Sequence, residues 1–181
     1  RSNNANGEGS QSDGLTAFGT DGFTLGADGA VNTNGNTFSS WNWKAGTSVS
    51  GNTTGSGTYK SYTGSVNTTA GFSIIKYVGN GTAGHTIPHH LGAAPTFRIT
   101  KTTSGDGDNW VVYNEVLGNT KELKFNTTDA VGTTTNYWNS TSPSSTVFTL
   151  GTNGIANGNN VTFISYNFSP KVGYSQFGSY T

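Results

Sequence analysis

Two stretches of the chain repeat each other: GFTLGADGAVNTNGNTFSSWNW at residues 22–43 and VFTLGTNGIANGNNVTFISYNF at residues 147–168. They align without a gap at a constant offset of 125 residues, and eleven of the 22 aligned pairs are identical. Each stretch opens on Phe-Thr-Leu, passes through Gly and Asn, and closes on alternating polar and aromatic residues. This pattern predicts two β-strands with a turn-rich connection, and its duplication predicts a repeated β unit.

Similar alternating runs, separated by clusters of Gly, Asn, Asp and Ser, occupy most of the chain after residue 14. No segment shows the 3.6-residue apolar period of a long helix. The pattern predicts an all-β fold, an antiparallel β-sandwich or jelly roll with a tandem repeat. The predicted strands cover residues 22–25, 37–43, 57–62, 72–78, 96–101, 110–113, 121–126, 146–150 and 161–168.

The composition excludes several functional classes. Only 10% of the 181 residues are charged, with nine acidic and nine basic side chains and no basic stripe for a nucleic-acid backbone. No run approaches the roughly 20 apolar residues of a transmembrane helix, and the absence of Cys excludes disulfides. We therefore expect a folded protein with no nucleic-acid partner, no membrane insertion and no cofactor.

A weaker similarity, between GFSIIKYVG at residues 71–79 and GYSQFGSYT at residues 173–181, indicates where units begin. Two interpretations stay open: the chain is cut from an array, or its terminal strands complete a neighbour's sheet. The predicted divisions are a flexible N-terminal arm or linker (1–14), the C-terminal part of a first β repeat (15–70) with a Gly/Thr/Ser-rich loop (44–70), a complete β-sandwich repeat (71–172), and a terminal strand or start of a next repeat (173–181).

Five motifs follow one another from residue 71 onward: KYVGNGTAGHTIPHHLGAAPTFRITK, NWVVYN, LGNTKELKFNTTDA, YWNSTSPSSTVFTLG and PKVGYSQFGSYT. In these motifs and their order the chain resembles a repeat domain of tailed-bacteriophage structural proteins, especially tail-fibre and virion-appendage proteins of marine and cyanobacterial phages. The resemblance implies an extracellular virion component that acts as a homo-oligomer, for which a trimer is the common fibre symmetry. One residue departs from the family pattern, because His90 stands where glycine is common.

All three histidines lie in one nine-residue stretch, GHTIPHHLG. Zinc needs three or four ligands, and without Cys the candidates are His85 and His89 with Asp106 or Asp108. On an extended segment His85 and His89 share a face while His90 points away, so three ligands do not converge easily. We favour the alternative, a turn in which His89 bonds backbone groups and the following leucine fills the core, and we expect no metal.

Aromatic residues offer a second kind of site. Trp41 and Trp43 would share one face of a strand, but the repeat places Tyr166 and Phe168 at the equivalent positions, which favours core packing over ligand binding. In the polar stretch TTTNYWNSTSPSS, by contrast, Tyr137 and Trp138 are the predicted glycan or receptor contacts. The predicted structural core comprises Phe23, Leu25, Phe38, Trp41, Trp43, Trp110, Phe148, Leu150, Phe163, Tyr166 and Phe168.

The sequence contains no recognisable catalytic motif. The acidic run SGDGDNW offers Asp106, Asp108 and Asn109 to Ca²⁺, but a hairpin turn suits its Gly and Asp content better. No nucleophile-elbow or phosphate-loop pattern occurs, and no catalytic residue is predicted.

These observations predict a non-enzymatic viral structural protein. It would be a tail-fibre or capsid-attached appendage component in the virion, acting in assembly and host attachment. The expected partners are other copies of itself, other virion proteins and a host surface glycan. Two alternatives stay open: a carbohydrate-binding receptor-recognition module, and a subunit of a cellular extracellular filament assembled by exchange of terminal strands.

Overall fold

The computed structural model describes residues 2–104 and 107–179. These residues form two compact units, a main unit made of residues 2–7 and 44 onward, and an N-terminal unit of residues 8–43. The elements are β1 (Leu15–Phe18), β2 (Phe23–Leu25), α1 (Gly29–Asn32), β3 (Thr47–Asn52), β4 (Thr54–Gly55), β5 (Ser61–Asn67), β6 (Phe72–Val78), β7 (His85–Pro88), β8 (Phe97–Thr102), β9 (Val111–Asn114), β10 (Lys121–Lys124), β11 (Gly132–Thr133), β12 (Val147–Leu150), α2 (Gly154–Asn157) and β13 (Thr162–Phe168).

The main unit consists of two antiparallel sheets. The larger has eight strands in the order β11-β10-β9-β8-β13-β6-β5-β3, and the smaller has the order β12-β7-β4. Aromatic residues join them, since the ring centroids of Tyr77 on β6 and Phe148 on β12 lie 5.9 Å apart. The predicted all-β, sandwich-like antiparallel fold is confirmed.

Strand β13 lies at the centre of the larger sheet. It pairs with β6 from Thr162 opposite Val78 to Phe168 opposite Phe72, and with β8 on its other edge. Its side chains alternate between buried and half-buried, as the two-residue period of a strand requires. The strands predicted at residues 72–78 and 161–168 therefore lie where the sequence pattern placed them.

One apolar core fills the space between the sheets. Tyr77 stacks on Phe163 with a centroid distance of 5.3 Å, and Phe163 is completely buried. Large side chains of both sheets complete this core, and its buried members are Tyr62, Ile75, Tyr77, Ile87, Val111, Tyr113, Tyr137, Trp138, Phe148, Leu150, Ala156 and Phe163.

Residues 44–70 were predicted to form a Gly/Thr/Ser-rich loop with one strand, at residues 57–62. The structure differs, because this range contributes three strands, β3, β4 and β5, to the two sheets. Their Gly, Thr and Ser content resembles a loop, but Thr favours strands and small residues fit beside a bulky neighbour. Gly64 shows the fit: a side chain there would collide with the backbone of Ile74 and with Ile75. The main unit thus extends beyond the predicted repeat at residues 71–172.

The first residues of the chain contact the main unit. The carbonyl of Asn4 accepts a hydrogen bond from Trp110 Nε1 at 3.1 Å, and the carbonyl of Ala5 accepts one from Lys101 Nζ at 3.1 Å. The predicted flexible arm at residues 1–14 therefore divides, with residues 2–7 held by the main unit and the remainder belonging to the N-terminal unit.

In the N-terminal unit, β1 pairs with β2 and is followed by α1. The side chain of Asp28 caps α1 by accepting a hydrogen bond from Ala30 N at 2.9 Å. In the main unit Asn153 caps α2 in the same way, through Ile155 N. The two stretches thus carry a strand, a capping residue and a four-residue helix at equivalent positions.

The equivalence ends after the helix. Residues 37–43 were predicted to form a strand like β13, but they are not part of any strand in the described part of the chain. The core prediction also fails here: the exposed fractions are 38% for Phe23, 46% for Phe38, 82% for Trp41 and 48% for Trp43, and Leu25 is half-buried. A strand needs a partner for its backbone groups, and β13 has two neighbours that residues 8–43 do not provide.

This difference predicts opposite outcomes for one substitution at two equivalent positions. Phe163→Ala removes a buried ring, so we expect it to lower the free energy of unfolding by about 3–5 kcal/mol. Phe38→Ala removes a half-exposed ring, and its expected cost is below about 1 kcal/mol. Urea unfolding of both full-length variants, followed by far-ultraviolet circular dichroism, measures the difference. Equal losses would contradict the different burial of the two rings.

Candidate functional site

The histidine stretch is the best candidate for chemistry in the main unit. It comprises β7, which lies between β12 and β4, and the turn that follows. His85 pairs with Leu150 at the start of β7, and Pro88 pairs with Val147 at its end. His85 and His89 are completely buried, whereas the next residue, His90, is exposed.

His85 belongs to a buried polar network centred on Asn157. The Asn157 amide nitrogen donates to the carbonyls of Thr82 at 3.0 Å and Gly151 at 2.7 Å. Its oxygen is therefore the acceptor at 2.8 Å from His85 Nδ1, which makes Nδ1 the protonated nitrogen. His85 Nε2 then accepts from the Thr53 hydroxyl at 2.7 Å. Both ring nitrogens are occupied by protein partners, and burial lowers the pKa of His85.

His89 is bonded to the backbone, as the predicted turn requires. Its Nε2 donates to the carbonyl of Ser144 at 3.1 Å, and its Nδ1 accepts from the Leu91 amide at 3.2 Å. Leu91 is buried. Burial lowers the pKa of His89 to about 4, because the charged imidazolium would lose its hydration. The ring is therefore neutral at physiological pH and fastens the turn.

His90 lies at the position where a glycine was expected from the sequence resemblance. Its φ of 61° lies in the left-handed region, which glycine enters without strain and other residues at a cost. The His90 ring contacts Tyr62, whose hydroxyl lies 2.9 Å from His90 Nε2. This hydrogen bond offsets part of the backbone strain, which explains how a histidine is accommodated here.

The proposed metal ligands are not brought together. His85 and His89 direct their nitrogens to protein groups, and Asp106 lies outside the described residues. Within residues 2–104 and 107–179, no group of three His, Asp or Glu side chains is placed to hold a metal ion. Of the candidate calcium ligands, Asn109 accepts a hydrogen bond from the Asn126 side chain at 2.9 Å, while Asp108 is half-buried.

The predicted glycan contacts are wrong, because Tyr137 and Trp138 are buried, with exposed fractions of 5% and 1%. Trp138 Nε1 donates to the carbonyl of Lys121 at 2.8 Å, and its ring packs edge-on against Tyr113. The polar residues around these rings indicated a surface segment. The segment is at the surface, but its two aromatic side chains point into the core.

The other predicted core residues of the main unit fall into two groups. Phe148, Leu150 and Phe163 are completely buried between the sheets. The remaining three are half-buried on the opposite face of the larger sheet, where aromatic rings stack on one another, and they are Trp110, Tyr166 and Phe168.

Arg98 is a buried residue that the sequence patterns did not single out. Its guanidinium carbon lies 4.4 Å from the ring centre of Trp138 and 3.9 Å from that of Phe148. Burial lowers its pKa to about 10, and its Nε and Nη1 have no hydrogen-bond partner in the described part of the protein. The sequence feature that could have indicated its burial is the strand-like alternation in PTFRITK, which places Arg98 on the opposite face of the strand from Phe97 and Ile99.

The whole chain, residues 1–181, matches one family model, described as Domain of unknown function (DUF7483). The chain belongs to this family. No curated protein and no solved structure matches it. In this DUF7483 domain, no helix of the described residues is long and apolar enough to span a membrane.

The buried histidines predict that the domain loses stability in acid. Histidines of the unfolded chain titrate near pH 6.5, whereas folded His89 binds a proton only near pH 4. Between these values the unfolded state holds more protons, so the free energy of unfolding falls as the pH is lowered. The loss from His89 is on the order of 3 kcal/mol, since one pKa unit corresponds to about 1.4 kcal/mol, and His85 acts in the same direction.

Urea unfolding between about pH 4 and pH 8 measures this loss. The matched variant is His89→Gln, which we expect to be less stable at neutral pH but to lose less stability on acidification. A wild-type free energy of unfolding that stays constant over this range would contradict the assignment of neutral, buried histidines.

Arg98 yields a prediction that separates charge from volume. Arg98→Met removes a desolvated charge while filling similar space, so we expect no loss of stability, or a gain of about 1 kcal/mol. Arg98→Ala opens a cavity between the Trp138 and Phe148 rings and should cost about 2–4 kcal/mol. Thermal and urea unfolding compare the two variants. Equal destabilisation would show that the cation–ring contacts outweigh the cost of burying the charge.

Proposed function

We propose that this DUF7483 protein is a non-enzymatic structural component of a phage virion, a tail fibre or capsid-attached appendage, that acts in assembly and host attachment. One observation carries the non-enzymatic part of the proposal: the two histidines best suited to chemistry, His85 and His89, are bonded within the core. Both ring nitrogens of His85 and of His89 have protein partners, so neither ring is left to bind a substrate or a metal.

A rigid β unit suits an appendage that must resist shear and proteases. The larger sheet carries bonded polar side chains at its centre, where Asn167 Nδ2 donates to the Ser73 hydroxyl at 3.3 Å and the Thr100 hydroxyl donates to Ser165 at 3.3 Å. A buried polar network whose members bond one another favours a single packing arrangement. Such a unit supports a mechanical role.

The N-terminal unit supports a role in association. Its apolar side chains are not covered by residues 8–43, and Phe18 and Trp41 are 78% and 82% exposed. Exposed aromatic clusters of this kind mark interaction sites. The resemblance of the motifs from residue 71 onward to phage appendage repeats is the reason for proposing the virion as the setting.

The proposal is tested on phage particles purified from a bacterial culture infected with the phage whose genome encodes this chain. Particles banded in a density gradient are analysed by peptide mass spectrometry and by immunogold electron microscopy, with antibodies raised against the purified chain. We expect the chain in the particle band and gold on the tail or the capsid. Antibody pre-absorbed with the purified chain is the control. Recovery only from cells or from cellular filaments would overturn the virion assignment.

A further inference from the structure

We infer that copies of this chain join head to tail by β-strand addition, in which residues 38–43 of one copy pair with residues 174–179 of the next. This inference takes from the proposed function only the expectation that copies associate. It identifies the two surfaces that meet and the register in which they pair.

The N-terminal unit presents an uncovered apolar surface beside an unpaired segment. Residues 37–42 make no backbone hydrogen bond in the described structure, although the segment alternates like a strand. Beside it lies a cavity of about 580 Å³, lined chiefly by Leu15, Phe18, Phe23, Leu25, Phe38 and Trp41.

The unpaired segment has the same inward face as β13. In β13 the inward residues are buried, whereas in the N-terminal unit the equivalent residues are exposed, yet all three are identical. The pairs are Phe38 with Phe163, Ser40 with Ser165, and Asn42 with Asn167. The side chains that change, such as Trp41 for Tyr166, lie on the other face.

The polar residues of this face bond each other in both stretches, since Asn42 Nδ2 donates to the Ser40 hydroxyl at 2.8 Å, but only on β13 do they also bond a neighbouring strand. On β13, the Ser165 hydroxyl donates to Asn167 Oδ1 at 3.0 Å, and Asn167 Nδ2 donates to the Ser73 hydroxyl of β6 at 3.3 Å. Ser40 and Asn42 repeat this pattern in a segment that has no sheet partner. The expected partner is therefore a strand resembling β6.

The two stretches also share local hydrogen bonding before this segment. The Asn32 amide nitrogen donates to the carbonyl of Gly26 at 2.7 Å, and the equivalent Asn157 donates to Gly151 at 2.7 Å. The N-terminal unit thus forms the strand, helix and asparagine contact of the main unit. The N-terminal unit therefore has the same local fold before the segment, but it has no strands equivalent to β6 and β8 on either side of the segment.

A segment whose sequence resembles that of β6 occurs at residues 173–179, where the structure has a turn and a single bridge between Lys171 and Ser175. GYSQFGS there corresponds to GFSIIKY at the start of β6, and Ser175 takes the place of Ser73. Residues 176–179 make no backbone hydrogen bond in the described structure, and Tyr174 is 66% exposed. Phe177 stacks on Phe97 at 5.2 Å, which holds this tail on the main unit of its own copy.

The register follows from the antiparallel pairing of β13 with β6, in which Asn167 lies opposite Ser73 and Ile164 lies opposite Lys76. Carried over to residues 38–43 and 174–179, this register places Asn42 opposite Ser175 and Ser39 opposite Gly178. The bonds of Tyr174 and Ser175 to Lys171 must open for this pairing to form. The joining surfaces differ from each other, so the contact is heterologous and each copy keeps one free end for a further copy.

Cysteine cross-linking tests the register, because the chain contains no Cys. Ser39→Cys is placed in one full-length chain and Gly178→Cys in another; both positions are exposed, and a side chain at Gly178 meets no atom within 4 Å. Under mild oxidation the mixture should give a covalent dimer, each chain alone should stay uncross-linked, and a chain with both substitutions should form a ladder of multimers. Directly opposite positions bring the sulfur atoms within disulfide reach.

The register control pairs Ser39→Cys with Gln176→Cys, two residues out of register. Its cross-linking should be about tenfold slower or less, because diagonal positions exceed the usual separation for a disulfide. Equal rates for the two mixtures would overturn the register. Dimers formed by the Ser39→Cys chain alone, as fast as in the mixture, would show a symmetric contact and overturn the head-to-tail assignment.

Sedimentation equilibrium tests the association without cross-linking. We expect the wild-type chain to associate as its concentration rises, and Trp41→Asp to weaken this association at least about tenfold, since the substitution puts a charge in an apolar interface. Tyr59→Asp is the matched control at another exposed aromatic residue, 61% exposed, and should leave association unchanged. A wild-type chain that stays monomeric at every concentration would overturn the inference. Because purified protein is used, this result is independent of the outcome on phage particles.

Discussion

The paired edges of β13 hold the main unit together. With β6 on one side and β8 on the other, this strand joins two groups of strands, β11-β10-β9-β8 and β6-β5-β3, into one sheet. Its inward residues also carry the contact with the rest of the core, through Phe163 and its stack on Tyr77. Since a strand's backbone groups must be bonded when they are buried, every other element of the larger sheet depends on this double pairing.

Polar groups in the core are stabilised by specific partners, and this explains the histidine stretch. A buried imidazole without partners would be costly, so His85 is tied to Asn157 and Thr53, and His89 to the backbone of the turn. The buried Arg98 guanidinium is stabilised differently: it has few hydrogen bonds and instead contacts two aromatic rings. Residues often associated with catalysis here serve packing.

Prediction from the sequence succeeded where a strand carries large apolar residues at every second position, as in β6 and β13. It failed at residues 44–70, whose Ser, Thr and Gly have no strong hydrophobic period and become strands because β6 offers an edge to β5. The buried state of Tyr137 and Trp138 was also missed. Polar neighbours predict the position of a backbone segment better than the direction of its side chains, which is set by the space left in the core.

The all-β class, the alternation of the strands, and the turn-rich connection at equivalent places in residues 22–43 and 147–168 follow from the sequence alone. The tertiary structure decided which of the two stretches completes a sheet. Phe163, Ser165 and Asn167 are buried because β6 and β8 bond the backbone between them, whereas the identical Phe38, Ser40 and Asn42 remain exposed. The physical reason is that a strand's hydrogen bonds are made with another strand, so its own residues cannot supply them.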